Sequence, residues 1–155
     1  MTADAPSRTL HASVVAVTVG DVWRGALILG PSGSGKSALA LRAMALGARL
    51  VADDRVRLWR QGDSLLARAP SALFGMIEAR GIGLLRAESL AQAPVALAID
   101  LGRAETQRLP PLRRIDLLDL SFPLVHGAEN GCLAPAMLQL LKGGMVSPDS
   151  PIRAT

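Results

Sequence analysis

The sequence predicts an α/β domain with a mixed sheet, on three observations. An eight-residue motif, Gly30-Pro31-Ser32-Gly33-Ser34-Gly35-Lys36-Ser37, matches G-x-x-x-x-G-K-[ST] at every fixed position. Its flanks suit such a loop: the apolar run Ala26-Leu27-Ile28-Leu29 reads as a buried strand, and the Ala/Leu-rich stretch from Ser37 to Leu46 reads as a helix. Two strand-like runs joined by Gly20-Asp21 precede the motif, so the strand feeding it is the second of an antiparallel pair.

The motif carries specific chemistry. Its glycines permit backbone conformations that a Cβ would hinder, so that successive N–H groups can converge on phosphate oxygens. The helix behind the loop aims its positive end at the same anion. Lys36 can reach the outer phosphates, and the Ser37 hydroxyl suits Mg²⁺. A flexible Gly/Ser turn would account for the motif alone but not for both flanks, so the reading is a nucleotide-phosphate site.

Taken in order, residues 1–9 read as a loose tail, 10–146 as one domain and 147–155 as a second, disordered tail. His11 to Val17 is small and β-branched and predicts a strand; Val22 to Leu29 predicts its partner. In the helix Leu39, Ala43 and Leu46 share a face, and Gly47 is a stop signal. Arg49 to Ala52 predicts a short strand that delivers Asp53 and Asp54. Arg55 to Trp59 and Ser64 to Ala69 predict a hairpin around Gln61-Gly62-Asp63, followed by a loop over 70–75. Met76 to Leu85 alternates and ends in spaced glycines, as a strand entering a tight bend would. Pro94 to Ile99 predicts a buried strand ending at Asp100, and the proline-broken stretch 108–123 predicts loop with short strands. Ala134 to Leu141 predicts a short helix closed by Gly143-Gly144.

Composition narrows the function. Half of the 155 residues are apolar but only 3% are aromatic, and there is no Tyr, so the core must be Leu, Ala, Val and Ile. No apolar run approaches the roughly 18 residues of a membrane span. The start, MTADAPSRTL, lacks a basic segment followed by an apolar one, so no secretory leader is expected. The single Cys132 fits a reducing cytoplasm and a packing role. Net charge is +4, carried mostly by scattered arginines with no basic run interleaved with aromatics, so neither nucleic acid nor membrane is an expected partner. A basic surface can attract an acidic protein or a polyphosphate.

Phosphoryl transfer needs acidic groups near the loop. Two sets offer themselves: Asp53-Asp54, brought back to the loop by one helix and one strand, and Asp100 at the end of an apolar run. The usual template for such loops favours Asp100. Strand–loop–helix–strand connectivity instead places Asp53-Asp54 at the phosphate edge, and adjacent carboxylates repel unless a cation or partner offsets them.

Three blocks together resemble the catalytic domain of HPr kinase/phosphorylase, in a short form without an N-terminal domain. They are His11 to Val17, Gly30 to Val56 (GPSGSGKSALALRAMALGARLVADDRV), and Ile77 to Leu85 with its I-E-x-R-G-I-G pattern. The resemblance implies a P-loop nucleotide-binding fold like that of phosphoenolpyruvate carboxykinase, with a mixed sheet. It implies an ATP- and Mg²⁺-dependent serine kinase acting on HPr or its nitrogen-branch relative, and a phosphorylase that removes the phosphate by forming pyrophosphate. By this resemblance Asp54 is general base and acid, Lys36 holds the transferring phosphate, and His11 orients or tunes Asp54. Ser37, Glu78 and Asp53 serve the metal, Arg80 is catalytic, and Asp100 becomes structural. Members are commonly hexameric, so self-association in the cytoplasm is expected. Ala38 stands where the family usually has Glu or Asp. That departure keeps an ATP-sensing module as an alternative, beside a P-loop kinase for a small metabolite.

Overall fold

The computed structural model describes residues 6–147. Eleven strands and two helices of more than one turn make up the described residues. At the centre is the predicted hairpin. β2 (Ser13–Val19) and β3 (Val22–Leu29) pair antiparallel from Ser13↔Ile28 to Val19↔Val22 around Gly20, whose φ of 62° suits a two-residue turn. After β3 comes the glycine loop and then α1 (Lys36–Ala45). Leu39, Ala40 and Ala43 of α1 are buried. Leu46, expected on the same face, is instead the half-exposed residue that ends the helix. Gly47, with φ 107°, donates its N–H to the Met44 carbonyl at 3.0 Å.

β4 (Arg49–Ala52) pairs antiparallel with β2 and so runs parallel to β3. β9 (Ala93–Ala104) lies parallel to β3 on its other side, and β11 (Leu120–Ala128) parallel to β9. The carboxyl ends of β3, β4, β9 and β11 therefore share one edge of the sheet, where β2 begins. The mixed sheet expected from the sequence is present. It continues through β9 into β6 (Ser64–Arg68), β5 (Val56–Gln61) and β1 (Ser7–Leu10). β7 (Met76–Ala79) and β8 (Gly83–Arg86) form a separate hairpin.

Both faces of the central strands are covered. Val15, Val17, Ala26 and Ile28 pack with α1 and α2 (Leu133–Gly143), while Val14, Ala16 and Leu27 pack with Leu58, Leu65 and Ala67 of the β5–β6 arm. This is why β2 and β3 are near-continuous apolar runs and not alternating ones.

Three expectations change. Residues 7–9, expected in the loose tail, belong to β1, which pairs antiparallel with β5 from Ser7↔Trp59 to Leu10↔Val56. The backbone groups of an alternating, exposed segment were satisfied by an edge that propensity alone does not announce. The strand expected to stop at Asp100 runs on to Ala104, because β11 pairs with it as far as Ala128↔Ala104. The stretch 108–123 holds β10 (Arg113–Leu117), paired with β11 through a two-residue turn at Leu118 (φ 48°) and Asp119 (φ 63°). A leucine in the left-handed region costs roughly 1–2 kcal/mol, so no turn signal was written there. Pro123 sits just before the first β9-paired residue, Leu124, where its missing N–H matters least. The disordered tail expected over 147–155 lies outside the described residues except for Ser147.

Candidate functional site

The loop is built as its sequence demands. Gly30, Gly33 and Gly35 have φ of 150°, 83° and 98°, and a Cβ on Gly30 would come within 2.5 Å of Ser34 Oγ. Ser34 donates its backbone N–H to the Pro31 carbonyl at 3.1 Å, closing the turn through Ser32. The buried Lys36 ammonium donates to the carbonyls of Gly30 (2.8 Å) and Pro31 (3.1 Å). That grip ties down the carbonyl side of the loop.

Asp53, only 4% exposed, is the hub beneath the loop. Its Oδ1 accepts from the hydroxyls of Ser13 and Ser37, each at 2.7 Å, and its Oδ2 accepts from the backbone N–H of Glu78 at 3.0 Å. One carboxylate thus joins the start of β2, the first turn of α1 and β7. Each of these bonds is charge-assisted, which favours short geometry in a buried site. Ser13 was not singled out in the sequence, although a hydroxyl at the head of the apolar run Val14 to Val17 is a signal that a buried partner exists.

Asp54 behaves oppositely. Its side chain is 55% exposed and lies 3.6 Å from Nδ1 of His11, itself 57% exposed. Its backbone is in the left-handed region at φ 69°, and its carbonyl accepts from the Ala12 N–H at 3.2 Å. Asp tolerates that conformation better than most residues, and such outliers concentrate at functional sites. The pinned backbone turns consecutive carboxylates in different directions, Asp53 inward and Asp54 outward.

A cleft of about 540 Å³ opens between the loop and the β7–β8 hairpin. His11, Lys36, Ser37, Asp54, Glu78 and Arg80 all line it. Glu78 is the exposed member of β7, and Arg80 stands at the start of the turn that follows; neither has an ion pair among the described residues. Gly81 (φ 82°) and Gly83 (φ 139°) make that turn possible. Asp100 is not at this cleft. Its Oδ1 accepts from the Gly102 N–H at 2.8 Å and its Oδ2 lies 3.9 Å from Arg103 Nε. The first turn of α1, where Ala38 lines the cleft, carries no acidic side chain.

Apart from the His11 imidazole, the side chains at the cleft that could ligate a cation are hard oxygens: the hydroxyls of Ser13, Ser32 and Ser37 and the carboxylates of Asp54 and Glu78. Among the described residues no three His, Cys, Asp or Glu side chains form a metal cluster. Oxygen donors in small number suit Mg²⁺ that arrives with phosphates and keeps several waters. Also among the described residues, no helix is long and apolar enough to cross a membrane.

A glycine loop at the head of a helix, facing carboxylates at the carboxyl edge of a mixed sheet, places the chain among mixed-sheet α/β domains and gives it a loop of the kind that suits an anion. The chain belongs to the family described as the HPr Serine kinase C-terminal domain, whose model matches residues 3–101. It is 42% identical over 88 residues to an HPr kinase/phosphorylase of Peptoclostridium acidaminophilum, covering 56% of this chain and 27% of that protein. It is 39% identical over 101 residues to an HPr kinase/phosphorylase of Chromobacterium violaceum, covering 60% of this chain and 32% of that one. The chain thus spans about a third or less of the length of these curated relatives. The structure is similar to that of the Hpr(Ser) kinase/phosphatase from Coxiella burnetii, with TM-score 0.71 and 27% identity over 86% of this chain and 93% of that one.

Proposed function

We propose that this chain is an ATP-dependent protein-serine kinase, and a phosphorylase in reverse, acting on HPr or its nitrogen-branch relative to regulate a phosphotransferase system in the cytoplasm. The fold reading that goes with it is a P-loop domain of the phosphoenolpyruvate carboxykinase type, supported by the antiparallel strand ahead of the loop. The observation that carries the proposal is the His11–Asp54 pair, exposed across an open cleft from Lys36 and the glycine loop. A metabolite kinase would need to enclose its acceptor; here the carboxylate is open to a seryl side chain on another protein.

In the forward direction Asp54 accepts the proton of the seryl hydroxyl as its oxygen attacks the γ-phosphorus. The seryl O–P bond forms, the bond to the bridging oxygen breaks, and ADP leaves. In reverse, orthophosphate attacks the phosphoserine phosphorus, pyrophosphate forms, and Asp54 returns the proton to the seryl oxygen. His11 positions the carboxylate, and Lys36 trades a loop carbonyl for a phosphate oxygen. Arg80, without a partner in the cleft, offsets charge on the transferring group. Ser37 and Glu78 would hold Mg²⁺, which when bound neutralises charge on the phosphates. Asp53 serves that ion by accepting the Ser37 proton and aiming its lone pair outward. Self-association, as a hexamer or otherwise, belongs to the same proposal.

Radiolabelled ATP with a purified HPr-like carrier tests it. Label on a carrier serine, falling by about 10² or more in Asp54→Asn while ATP binding persists, is expected. ATP bound without any transfer by the unaltered chain would overturn it.

A further inference from the structure

The glycine loop has two flanks, and the reaction above uses one. On the other lies a second cleft of about 430 Å³, between Ser34 and Gly35 of the loop, Leu101 of β9, and the turn 127–131 that joins β11 to α2. Gly35 and Arg42 border both clefts, so the two meet over the first turns of α1.

Chain direction links them. In phosphoryl transfer the attacking oxygen, the phosphorus and the leaving oxygen lie roughly in line. With the acceptor side set by Asp54, the remainder of the donor must leave the loop away from β4, across Gly35 toward β9 and β11. We propose that the second cleft holds the nucleoside of the phosphoryl donor, its base against Leu101 and the backbone of the 127–131 turn and its ribose beside Glu129; this rests on the kinase reading.

The lining suits that occupant. Glu129 is the one carboxylate there, it has no ion pair among the described residues, and a φ of 62° holds it at the tip of the turn. A carboxylate is acceptor-only and a ribose diol offers two donors. Asn130 Oδ1 accepts the Cys132 N–H at 2.9 Å, which leaves its amide NH₂ to donate. Arg42, exposed at the junction and without a partner among the described residues, stands where the innermost phosphate would pass. Ser34 Oγ, buried with no hydrogen-bond partner among the described residues, borders the same space. The turn is anchored low: a Cβ on Gly127 would meet Leu133 Cδ2 at 2.7 Å and Ile99 Cγ2 at 2.9 Å. Beside it, Gly131 faces open space. The volume falls in the roughly 300–1,000 Å³ range of small-molecule sites.

Two measurements test this on the full chain. Photolabelling with 8-azido-ATP followed by peptide mapping should mark residues 127–133 or Leu101; label on the 80–86 hairpin overturns the proposal. Gly131→Phe should fill the cleft, weakening ATP by about tenfold or more while inorganic tripolyphosphate stays within about twofold. Equal loss of both ligands, or loss of neither, overturns it. An unaltered chain that binds tripolyphosphate as tightly as ATP has no nucleoside site, which removes this proposal alone. One that binds neither removes the kinase reading with it.

Discussion

At the scale of single residues, the neighbours Asp53 and Asp54 have opposite consequences. Asp53 is buried and accepts three hydrogen bonds, two of them from the Ser13 hydroxyl and the Glu78 backbone N–H. Asp53→Ala strands those donors, and each buried donor left without a partner costs about 1–3 kcal/mol. A fall of about 2–4 kcal/mol in urea-unfolding stability is expected, together with loss of Mg²⁺-dependent nucleotide binding. Asp54→Asn should change stability by less than about 0.5 kcal/mol, because the side chain is exposed and Asn also tolerates the left-handed conformation. Equal urea midpoints for the two variants would contradict the division of labour between them. Sequence spacing could place both acids at the loop, since strand–loop–helix–strand connectivity fixes the edge. It could not say which faces inward, because that depends on the backbone turn at Asp54 and on Ser13, forty residues away.

At the scale of elements, what was legible followed local chemistry. Gly20-Asp21, the loop glycines and Gly47 each wrote their turn or stop into the sequence, and β2, β3, α1 and β4 were read from them. The β10–β11 hairpin was not, because Leu118 and Asp119 turn the chain without glycine, and the energy that holds them there comes from pairing with β9. The second cleft stayed invisible for the same reason: Arg42, Leu101 and Glu129 meet only through that pairing. The segment between β9 and β10 is held by Glu105, whose carboxylate takes a bidentate pair from Arg113 at 3.0 and 3.1 Å and the N–H groups of Thr106 and Gln107 at 3.0 and 3.3 Å. The Arg113 hydrogen bond, ahead of the two backbone donors, lowers the Glu105 pKa from 4.5 to about 2 against a smaller opposing effect of desolvation. A depressed carboxylate pKa stabilises the fold above the unfolded value and loses that contribution as pH falls through the folded one. Thermal unfolding should therefore show a stability difference between the unaltered chain and Glu105→Gln that is constant above pH 4.5 and declines between 4.5 and about 2. A difference independent of pH across that window would mean the latch contributes by shape and not by charge.

At the scale of the whole molecule, the site is where otherwise separate parts of the chain are tied together. Asp53 joins β2, α1 and β7 through side-chain bonds, while β9 pairs with β3 at Val95 to Asp100 and with β6 at Ala93 and Pro94. Anything that binds the loop therefore acts on a cooperative unit that includes the distant β5–β6 arm. The two tryptophans report on its ends. Trp23 lies on β3 with Arg49 over its ring at 5.9 Å, and Trp59 lies on β5 with Arg68 at 5.2 Å. A ligand at one hundred times its Kd adds about 2.7 kcal/mol to the folded state, which for a chain of this size corresponds to roughly 5–11 °C in Tm. Mg²⁺-ATP should raise Tm by that amount, equally in Trp23→Phe, read through Trp59, and in Trp59→Phe, read through Trp23. Lys36→Met should abolish the shift in both, since the ammonium grips the loop and is the group proposed to meet the phosphate. A shift confined to the Trp23 signal would show that the β5–β6 arm unfolds independently, and that the sheet does not carry binding energy through β9.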